Sequence, residues 1–107
     1  MTDSQLIEDI LSVYASIPYA HGDLQGQTIF DREHGRYLLL TIGWDGIKRV
    51  HSTVVDVELR DQKFWIHRDG TEDGIATDLE ESGVTKDRIV LAWFPAHERK
   101  FTGYAEQ

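Results

Sequence analysis

The clearest chemical pattern in the sequence is a run of oxygen-bearing side chains that begins at Asp69 and ends at Glu80. Counted from Asp69, these side chains and a glycine fall where an EF-hand loop has its calcium ligands and its invariant glycine, although Thr71 stands where an acid or an amide is usual. An EF-hand also needs a helix that enters the loop, whereas Phe64–Arg68 has the pattern of a strand. We therefore expect Asp73 to be a helix cap and Glu80 an exposed helix position. A calcium-binding module remains a third alternative.

A second pattern could indicate metal-dependent cleavage of phosphodiesters. The triplet Asp61–Lys63 has the acid-x-Lys form of a metal-dependent nuclease strand. It occupies a predicted turn, however, where its side chains would not be held around a metal ion. Asp56 and Glu58 share a strand face, but Arg60 rather than a lysine follows two residues later. A metal-dependent nuclease or phosphodiesterase is therefore the alternative to a non-catalytic protein.

Other metal ligands and nucleophiles are few and dispersed. The sequence contains no cysteine, which removes thiolate metal sites, thiol nucleophiles and disulfides. No two histidines have the i, i+4 spacing of a helical zinc site; they are His21, His34, His51, His67 and His97. A nucleophile elbow and a glycine-rich phosphate loop are also absent from the sequence. We expect no catalytic residue, no metal and no cofactor.

The charge balance restricts the class of partner. The chain has 107 residues, with 19 acidic against 11 basic side chains and a formal net charge of −8. Because binding to phosphates requires clustered cations, we expect no direct binding to nucleic acid or to a membrane. The acidic segment Asp69–Glu81 contains no basic residue. Either a solvated helix with its preceding loop or a docking surface for a basic partner explains this segment.

Length and hydropathy predict one domain over residues 1–107. The longest apolar run, Ile89–Phe94, is too short to span a membrane, and the N-terminus lacks the pattern of a secretory signal. We expect a cytoplasmic protein.

The first segment has the apolar periodicity of an amphipathic helix. Thr2 or Ser4 can cap its start, and Thr2 with Gln5 has the spacing of a capping box. Pro18 disfavours helical geometry at the residue before it, so the helix should end near Ser16. The apolar stripe consists of Leu6, Ile7, Ile10, Leu11, Tyr14 and Ile17. A second, shorter helix should run from residue 74 or 75 to residue 82, with the residue at 71 or 73 as its cap.

Between these helices the apolar period changes to two, which predicts strands joined by tight turns. The strands are expected at residues 27–31, 36–44, 49–59 and 64–68, and a last strand at 89–94 follows the second helix. Together these elements predict an α+β fold, in which an N-terminal helix and a second helix pack on a largely antiparallel sheet of about five strands.

Two-residue turns at Asp45-Gly46 and at Asp61-Gln62 set the expected register of this sheet. Both turns place one set of apolar residues on a single face, which should be buried against the first helix. The set comprises Leu38, Leu40, Ile42, Trp44, Ile47, Val55, Val57, Leu59, Phe64 and Ile66.

The opposite face of the sheet is a candidate partner-binding surface, since it mixes large apolar side chains with polar ones. Tyr37 and Trp65 would be its anchors, and Leu39 and Val54 are its other apolar members. An open face would support docking of a partner or self-association into a homo-oligomer. Alternatively, the last strand or the C-terminal tail covers this face.

Several segments of the sequence occur together in an order and spacing that are specific as a set. They are Tyr14-Ala15-Ser16-Ile17-Pro18-Tyr19, Gly43-Trp44-Asp45-Gly46 with Arg49-Val50, Trp65-Ile66, Asp69-Gly70-Thr71-Glu72, Gly74-Ile75-Ala76, Gly83-Val84, Lys86, Asp87, Ile89-Val90-Leu91 and Thr102-Gly103-Tyr104-Ala105. In this order they resemble the XisI family, the cyanobacterial fdxN element excision controlling factors. The resemblance runs from the first helix to within a few residues of the C-terminus.

This resemblance implies a small α+β protein that controls excision of a DNA element together with a second factor, XisH, while the recombinase is a separate protein. It implies a non-catalytic regulatory role and an XisH-like partner, and it brings no catalytic residue to this chain. Asp69 and Glu72 are further candidates for partner binding. The family's usual Thr-Glu-Glu-Gly is Thr-Glu-Asp-Gly at residues 71–74 here. The resemblance therefore implies that the calcium-like fit of Asp73 is accidental. The pair His97-Glu98 also departs from the family's tail.

Overall fold

The computed structural model describes residues 1–20 and 22–107. His21, considered above as a metal ligand, lies outside the described residues. The elements are α1 (Asp3–Ser16), β1 (Asp23–Asp31), β2 (Arg36–Asp45), β3 (Lys48–Arg60), β4 (Lys63–Asp69), α2 (Ile75–Glu81) and β5 (Ile89–Leu91). Two short 3-10 helices, Lys86–Arg88 and Ala96–Phe101, lie before and after β5.

The strands form one sheet in the order β1-β2-β3-β4-β5. β1 to β4 form an antiparallel meander, and β5 joins β4 in parallel after the chain has passed through α2. This confirms the predicted α+β class, with two helices and a largely antiparallel sheet of five strands. β5 is shorter than predicted because the chain turns after Leu91, whose carbonyl accepts a hydrogen bond from the N–H of Phe94.

Helix α1 has the predicted ends. The hydroxyl of Thr2 accepts a 3.1 Å hydrogen bond from the N–H of Gln5, as a capping residue does. The helix ends at Ser16, ahead of Pro18. It packs on the inner face of β1 and β2, so close to Gly26 that a Cβ atom there would lie 2.8 Å from the Cα of Ala15.

The turn between β2 and β3 differs from the predicted one. Asp45 pairs with Lys48, so the two loop residues are Gly46 and Ile47, one position later than expected. Gly46 has a φ of 63°. Glycine is the residue that adopts this conformation without strain, so it takes the left-handed place in the loop.

A β-bulge further along the same hairpin exchanges its faces. Leu39 pairs with Val55 whereas Leu40 pairs with Thr53, so Val54 has no partner on β2. Because side chains alternate along a strand, one extra residue moves every later side chain to the opposite face. The predicted core face is therefore wrong for β2.

The bulge reverses the burial expected for several side chains. Tyr37 and Leu39, predicted on the outer face, lie in the core and are 0% and 5% exposed. The hydroxyl of Tyr37 donates a 2.7 Å hydrogen bond to Ser4 of α1. Trp44 and Ile47, predicted in the core, are 47% and 100% exposed. The remaining β2 residues predicted for the core share the outer face with Trp44: Leu38, Leu40 and Ile42. Leu40 is nevertheless buried, as predicted, at 7% exposure.

The hairpin of β3 and β4 has the predicted register near its turn. Val57 pairs with Ile66, and Asp61 and Gln62 form the two-residue turn with φ values of 54° and 62°. A type I′ turn requires this conformation at both positions. A second bulge beyond Val57 leaves His67 without a partner on β3.

The core lies between the two helices and the inner face of the sheet. Of the residues predicted for this core, β3 and β4 contribute Val55, Val57, Phe64 and Ile66, all of them fully buried. The other fully buried apolar residues of this cluster are Ile7, Leu11, Ile75, Leu79 and Ile89, beside Tyr37. Within the part of the chain that the structure describes, no helix is long and apolar enough to cross a membrane.

Two arginines shield Trp65 on the outer face of β4, one from β3 and one from the C-terminal tail. Trp65 is 8% exposed, with the guanidinium of Arg60 at 3.9 Å from its ring centre and that of Arg99 at 5.7 Å. An open face with Tyr37 and Trp65 as anchors is therefore wrong, since both side chains are buried. Of the alternative, that the last strand or the tail covers this face, the structure shows only the contact of Arg99 with Trp65, because Tyr37 and Leu39 lie in the core.

Candidate functional site

Motif residues that lie far apart in the sequence meet at the C-terminal end of α1. A surface cleft of about 340 Å³ lies there, which we call the α1–loop cleft. Its lining includes Tyr14, Pro18 and Tyr19 from the end of α1 and Thr71 and Glu72 from the loop between β4 and α2. The remaining lining residues are Ile17, Leu39 and Val54. Six of the motif residues singled out from the sequence therefore share one surface.

The loop side of this cleft is held by Asp69. One of its carboxylate oxygens accepts hydrogen bonds from the N–H and the hydroxyl of Thr71, at 3.0 and 2.6 Å. The other accepts from the N–H of Ile75 at 2.6 Å and so caps α2. The cap predicted at Thr71 or Asp73 is wrong, because Gly74 precedes the helix and the capping carboxylate comes from the end of β4.

The bulge on β3 also positions this loop. Val54 has no ladder partner on β2, and its carbonyl accepts a 2.8 Å hydrogen bond from the N–H of Gly70. A Cβ atom on Gly70 would lie 3.3 Å from that carbonyl oxygen. The loop that bears Thr71 and Glu72 is thus bonded to the sheet on one side and to α2 on the other.

On the helix side, two tyrosines fix the cleft. The hydroxyl of Tyr14 donates a 2.5 Å hydrogen bond to Asp78 of α2, and the hydroxyl of Tyr19 lies 2.5 Å from that of Thr41. Burial, and next the bond to Asp78, raise the pKa of Tyr14 to about 12. Tyr14 is therefore a neutral donor at physiological pH, and its hydroxyl joins the helices instead of serving as a base.

A second depression continues from the cleft along the two helices. This α1–α2 groove, of about 380 Å³, shares Tyr14 and Ile17 with the cleft. Its other lining residues are Ile10, Val13, Asp78, Glu81 and Ser82. The sequence assigned Ile17 to the buried stripe, but it is 54% exposed. Sequence analysis did not identify Val13 or Asp78, since neither stands in a motif and the groove exists only once α1 and α2 pack together.

The other motif residues lie elsewhere. Four of them form the end of the β2–β3 hairpin: Trp44, Asp45, Gly46 and Arg49. There the Arg49 guanidinium lies 5.4 Å from the centre of the Trp44 ring. Gly103 takes a φ of 86° in the C-terminal tail. These residues shape a turn and the tail and do not line the cleft.

Two carboxylates of the nuclease alternative, Asp56 and Glu58, bond to nitrogen-bearing side chains. Asp56 accepts a 2.8 Å hydrogen bond from Arg36. Glu58 lies 2.9 Å from His67, and this hydrogen bond lowers the pKa of Glu58 below its usual value. The Asp61 of the acid-x-Lys triplet lies in the β3–β4 turn, as expected. The contacts with Arg36 and His67 engage oxygens of Asp56 and Glu58 that a metal ion would need.

The calcium-like pattern does not form a ligand shell either. Asp69 turns both oxygens toward N–H and hydroxyl donors, and Glu80 accepts a 2.7 Å hydrogen bond from Tyr104. The loop also follows a strand, as the sequence predicted, where an EF-hand has a helix. Across residues 1–20 and 22–107, no three histidine or acidic side chains are grouped so as to hold a metal ion.

Fold and site together define a small α+β protein with a mainly apolar cleft, bordered by Glu72, on its helix side. The chain belongs to the XisI family: the sequence profile of that family, described as XisI protein, matches residues 1–106. This confirms the resemblance seen in the ordered motifs.

Two solved structures are similar over nearly the whole chain. One is a XisI-like protein from Anabaena variabilis ATCC 29413, with 29% sequence identity and a TM-score of 0.86 over 95% of this chain and 94% of that one. The other is the fdxN element excision controlling factor XisI from the same organism, with 26% identity and a TM-score of 0.80 over 97% of this chain and 95% of that one. No protein of curated function matches the sequence.

Proposed function

We propose that this chain is a non-catalytic accessory factor of the cytoplasm that controls excision of a DNA element through an XisH-like partner protein. Family membership supports the connection with excision, since a similar solved structure is an fdxN element excision controlling factor. The XisH-like partner is what the resemblance to the family implies, and the absence of catalysis is inferred from the chemistry of the cleft.

The observation that carries this proposal is how the polar groups of the α1–loop cleft are used. The carboxylate of Asp69 accepts hydrogen bonds from the hydroxyl of Thr71 and from the N–H of Ile75. The hydroxyl of Tyr14 donates to Asp78. These bonds hold the loop against the helices. Groups engaged in this way shape a surface, and they are not free to move protons or to attack a substrate. A fixed shape of this kind is suited to recognition of a protein.

Charge supports a protein partner over direct contact with DNA. The net charge is −8, and Glu72 extends an exposed carboxylate at the rim of the cleft. DNA phosphates would be repelled by this surface, whereas a partner with basic side chains would be attracted.

The test is co-expression of the tagged chain with the XisH-like protein of its own host, followed by affinity capture and size-exclusion chromatography. We expect a complex whose size also reports how many copies of this chain it contains. Glu72→Lys should weaken capture, while Glu33→Lys, in the exposed turn between β1 and β2, is the matched control.

A parallel assay addresses catalysis. The purified chain should leave single- and double-stranded DNA uncut in the presence of Mg²⁺ or Mn²⁺. Cleavage that disappears in Asp56→Asn or Glu58→Gln would establish the nuclease alternative. Failure of the wild-type chain to capture the XisH-like protein would contradict the proposed partner.

A further inference from the structure

We propose that the α1–α2 groove, together with the adjoining α1–loop cleft, binds a basic amphipathic helix of a partner protein. This inference deepens the proposed function and rests on it in one respect, that the partner is a protein. The groove supplies three features that such a helix would match: exposed apolar side chains, acidic side chains without cations, and walls made of helices.

The apolar part of the surface comes from the last turns of α1. Val13, in the last turn of α1, and Ile17, the residue that follows the helix, are 64% and 54% exposed. Ile10 and Tyr14 line the groove beside them. Aliphatic side chains exposed in a contiguous concave surface are typical of a site that another chain covers.

The acidic part of the surface lies along α2 and its preceding loop. Glu81 lines the groove and Glu72 the cleft, and both are exposed. Within residues 1–20 and 22–107, neither lies within 4 Å of a cationic group, in contrast to Glu8, which pairs with Arg32 at 2.6 Å. Carboxylates that flank an apolar surface without cations of their own are complementary to Lys and Arg.

The walls of the groove indicate the conformation of the bound segment. α1 and α2 present side chains and have no free strand edge, so they cannot pair with the backbone of an extended peptide. A segment buried between them must satisfy its own N–H and C=O groups, which a helix does and an extended chain does not. The incoming helix would place apolar residues against Val13 and Ile17 and basic residues toward Glu72 and Glu81.

Two synthetic helices provide the probe. Each has about 18 residues with one leucine face; the opposite face is lysine in one peptide and glutamate in the other. We expect the fluorescently labelled lysine peptide to bind the full chain and the glutamate peptide to show no binding. The double variant Glu72→Gln/Glu81→Gln should weaken lysine-peptide binding by about tenfold, and added salt should weaken binding to the wild type more than to this variant.

Matched variants separate the groove from general attraction to an acidic protein. Glu33→Gln/Glu106→Gln removes the same charge at exposed positions outside the groove and should bind like the wild type. Val13→Asp should abolish binding, while Ser12→Asp, the exposed neighbour that does not line the groove, should leave it intact. Both are exposed helix positions, and circular dichroism checks that the variants fold.

The outcomes for this inference and for the proposed function are distinct. The groove would be overturned as a helix site if Glu72→Gln/Glu81→Gln and Glu33→Gln/Glu106→Gln lost lysine-peptide binding equally. Normal binding of that peptide by Val13→Asp would overturn it as well. Capture of the XisH-like protein by Val13→Asp at the wild-type level would also overturn it, while the proposed function would stand. Binding of the lysine peptide in a chain that captures no XisH-like protein would support the groove and overturn the proposed partner.

Discussion

The hydroxyl of Tyr14 and the carboxylate of Asp78 lie 2.5 Å apart, although 64 positions separate them in the sequence. This hydrogen bond joins α1 to α2 at the point where the α1–loop cleft and the α1–α2 groove meet. The relative position of the two helices, and with it the shape of both depressions, depends on this pair.

Tyr14→Phe removes the donor of this bond and keeps the ring. We expect the free energy of unfolding to fall by about 1–2 kcal/mol, since Asp78 would remain half-buried without its partner. Urea denaturation of Tyr14→Phe, Asp78→Asn and the double variant forms a complete cycle. Strictly additive effects in that cycle would show that the two side chains are not coupled.

Alkaline pH should destabilise the protein through two tyrosines. The pKa of Tyr14 is raised to about 12 chiefly by burial, and that of Tyr104 to about 12 chiefly by its hydrogen bond to Glu80. A raised pKa means that the folded chain holds the proton more tightly than the unfolded chain does. This stabilisation is complete below about pH 10, the ordinary tyrosine value, and is lost as the pH rises toward about 12.

Urea midpoints should therefore stay level up to about pH 10 and decline between about pH 10 and pH 12. The decline should be shallower in the double variant Tyr14→Phe/Tyr104→Phe, which lacks both ionisations. An ultraviolet titration of the wild type should contain a component near pH 12 that this variant lacks. If the urea midpoint of the double variant fell with pH as steeply as that of the wild type, and its ultraviolet titration were the same, the raised pKa values of Tyr14 and Tyr104 would be contradicted.

The sequence predicted the fold well where a single local signal decided the structure. The cap at Thr2 and the end of α1 before Pro18 depend on adjacent residues, and both are as expected. The Asp61-Gln62 turn likewise has the predicted register. Each of these features is set within a few positions of the chain.

The faces of β2 could not be predicted because the bulge at Val54 has no local signal. Periodicity alone cannot show that one residue of a strand is left unpaired, yet that residue moves Tyr37 and Leu39 into the core. What favours the bulge is remote: the carbonyl of Val54 bonds to the N–H of Gly70. The site was predicted only in part for the same reason, since ordered motifs identified Tyr14 and Thr71 but not the pairing of Tyr14 with Asp78.

Removal of the Asp69 carboxylate should destabilise the loop and α2. Asp69→Ala leaves the N–H groups of Ile75 and Thr71 without their acceptor, and we expect a loss of about 1–3 kcal/mol in the free energy of unfolding. Asp73→Ala, at the calcium-like position that bonds to neither, should change stability much less.

The same pair of variants tests the calcium alternative. Because Asp69 and Glu80 direct their carboxylates to donors within the protein, millimolar calcium should leave the melting temperature of the wild type unchanged relative to EDTA. A rise in melting temperature that Asp69→Ala abolishes would show that calcium binds at this loop.

The contact between α1 and β1 should be sensitive to added volume at Gly26. A Cβ atom there would lie 2.8 Å from the Cα and 3.0 Å from the carbonyl oxygen of Ala15, and both are backbone atoms that cannot rotate away. α1 would have to move off the sheet, so Gly26→Ala should lower the free energy of unfolding by about 1–3 kcal/mol.

Gly46→Ala is the matched control for this contact. Nothing lies within 4 Å of a Cβ atom at Gly46. Gly46→Ala should therefore lower the free energy of unfolding only through the left-handed backbone at this residue, by about 1–2 kcal/mol. The two variants can therefore have similar stability, but they should differ in partner capture. Gly26→Ala displaces the helix that forms one wall of the groove and the cleft, whereas Gly46→Ala alters only the far end of a hairpin. Equal capture by both variants, in chains that remain folded, would show that the position of α1 does not govern recognition.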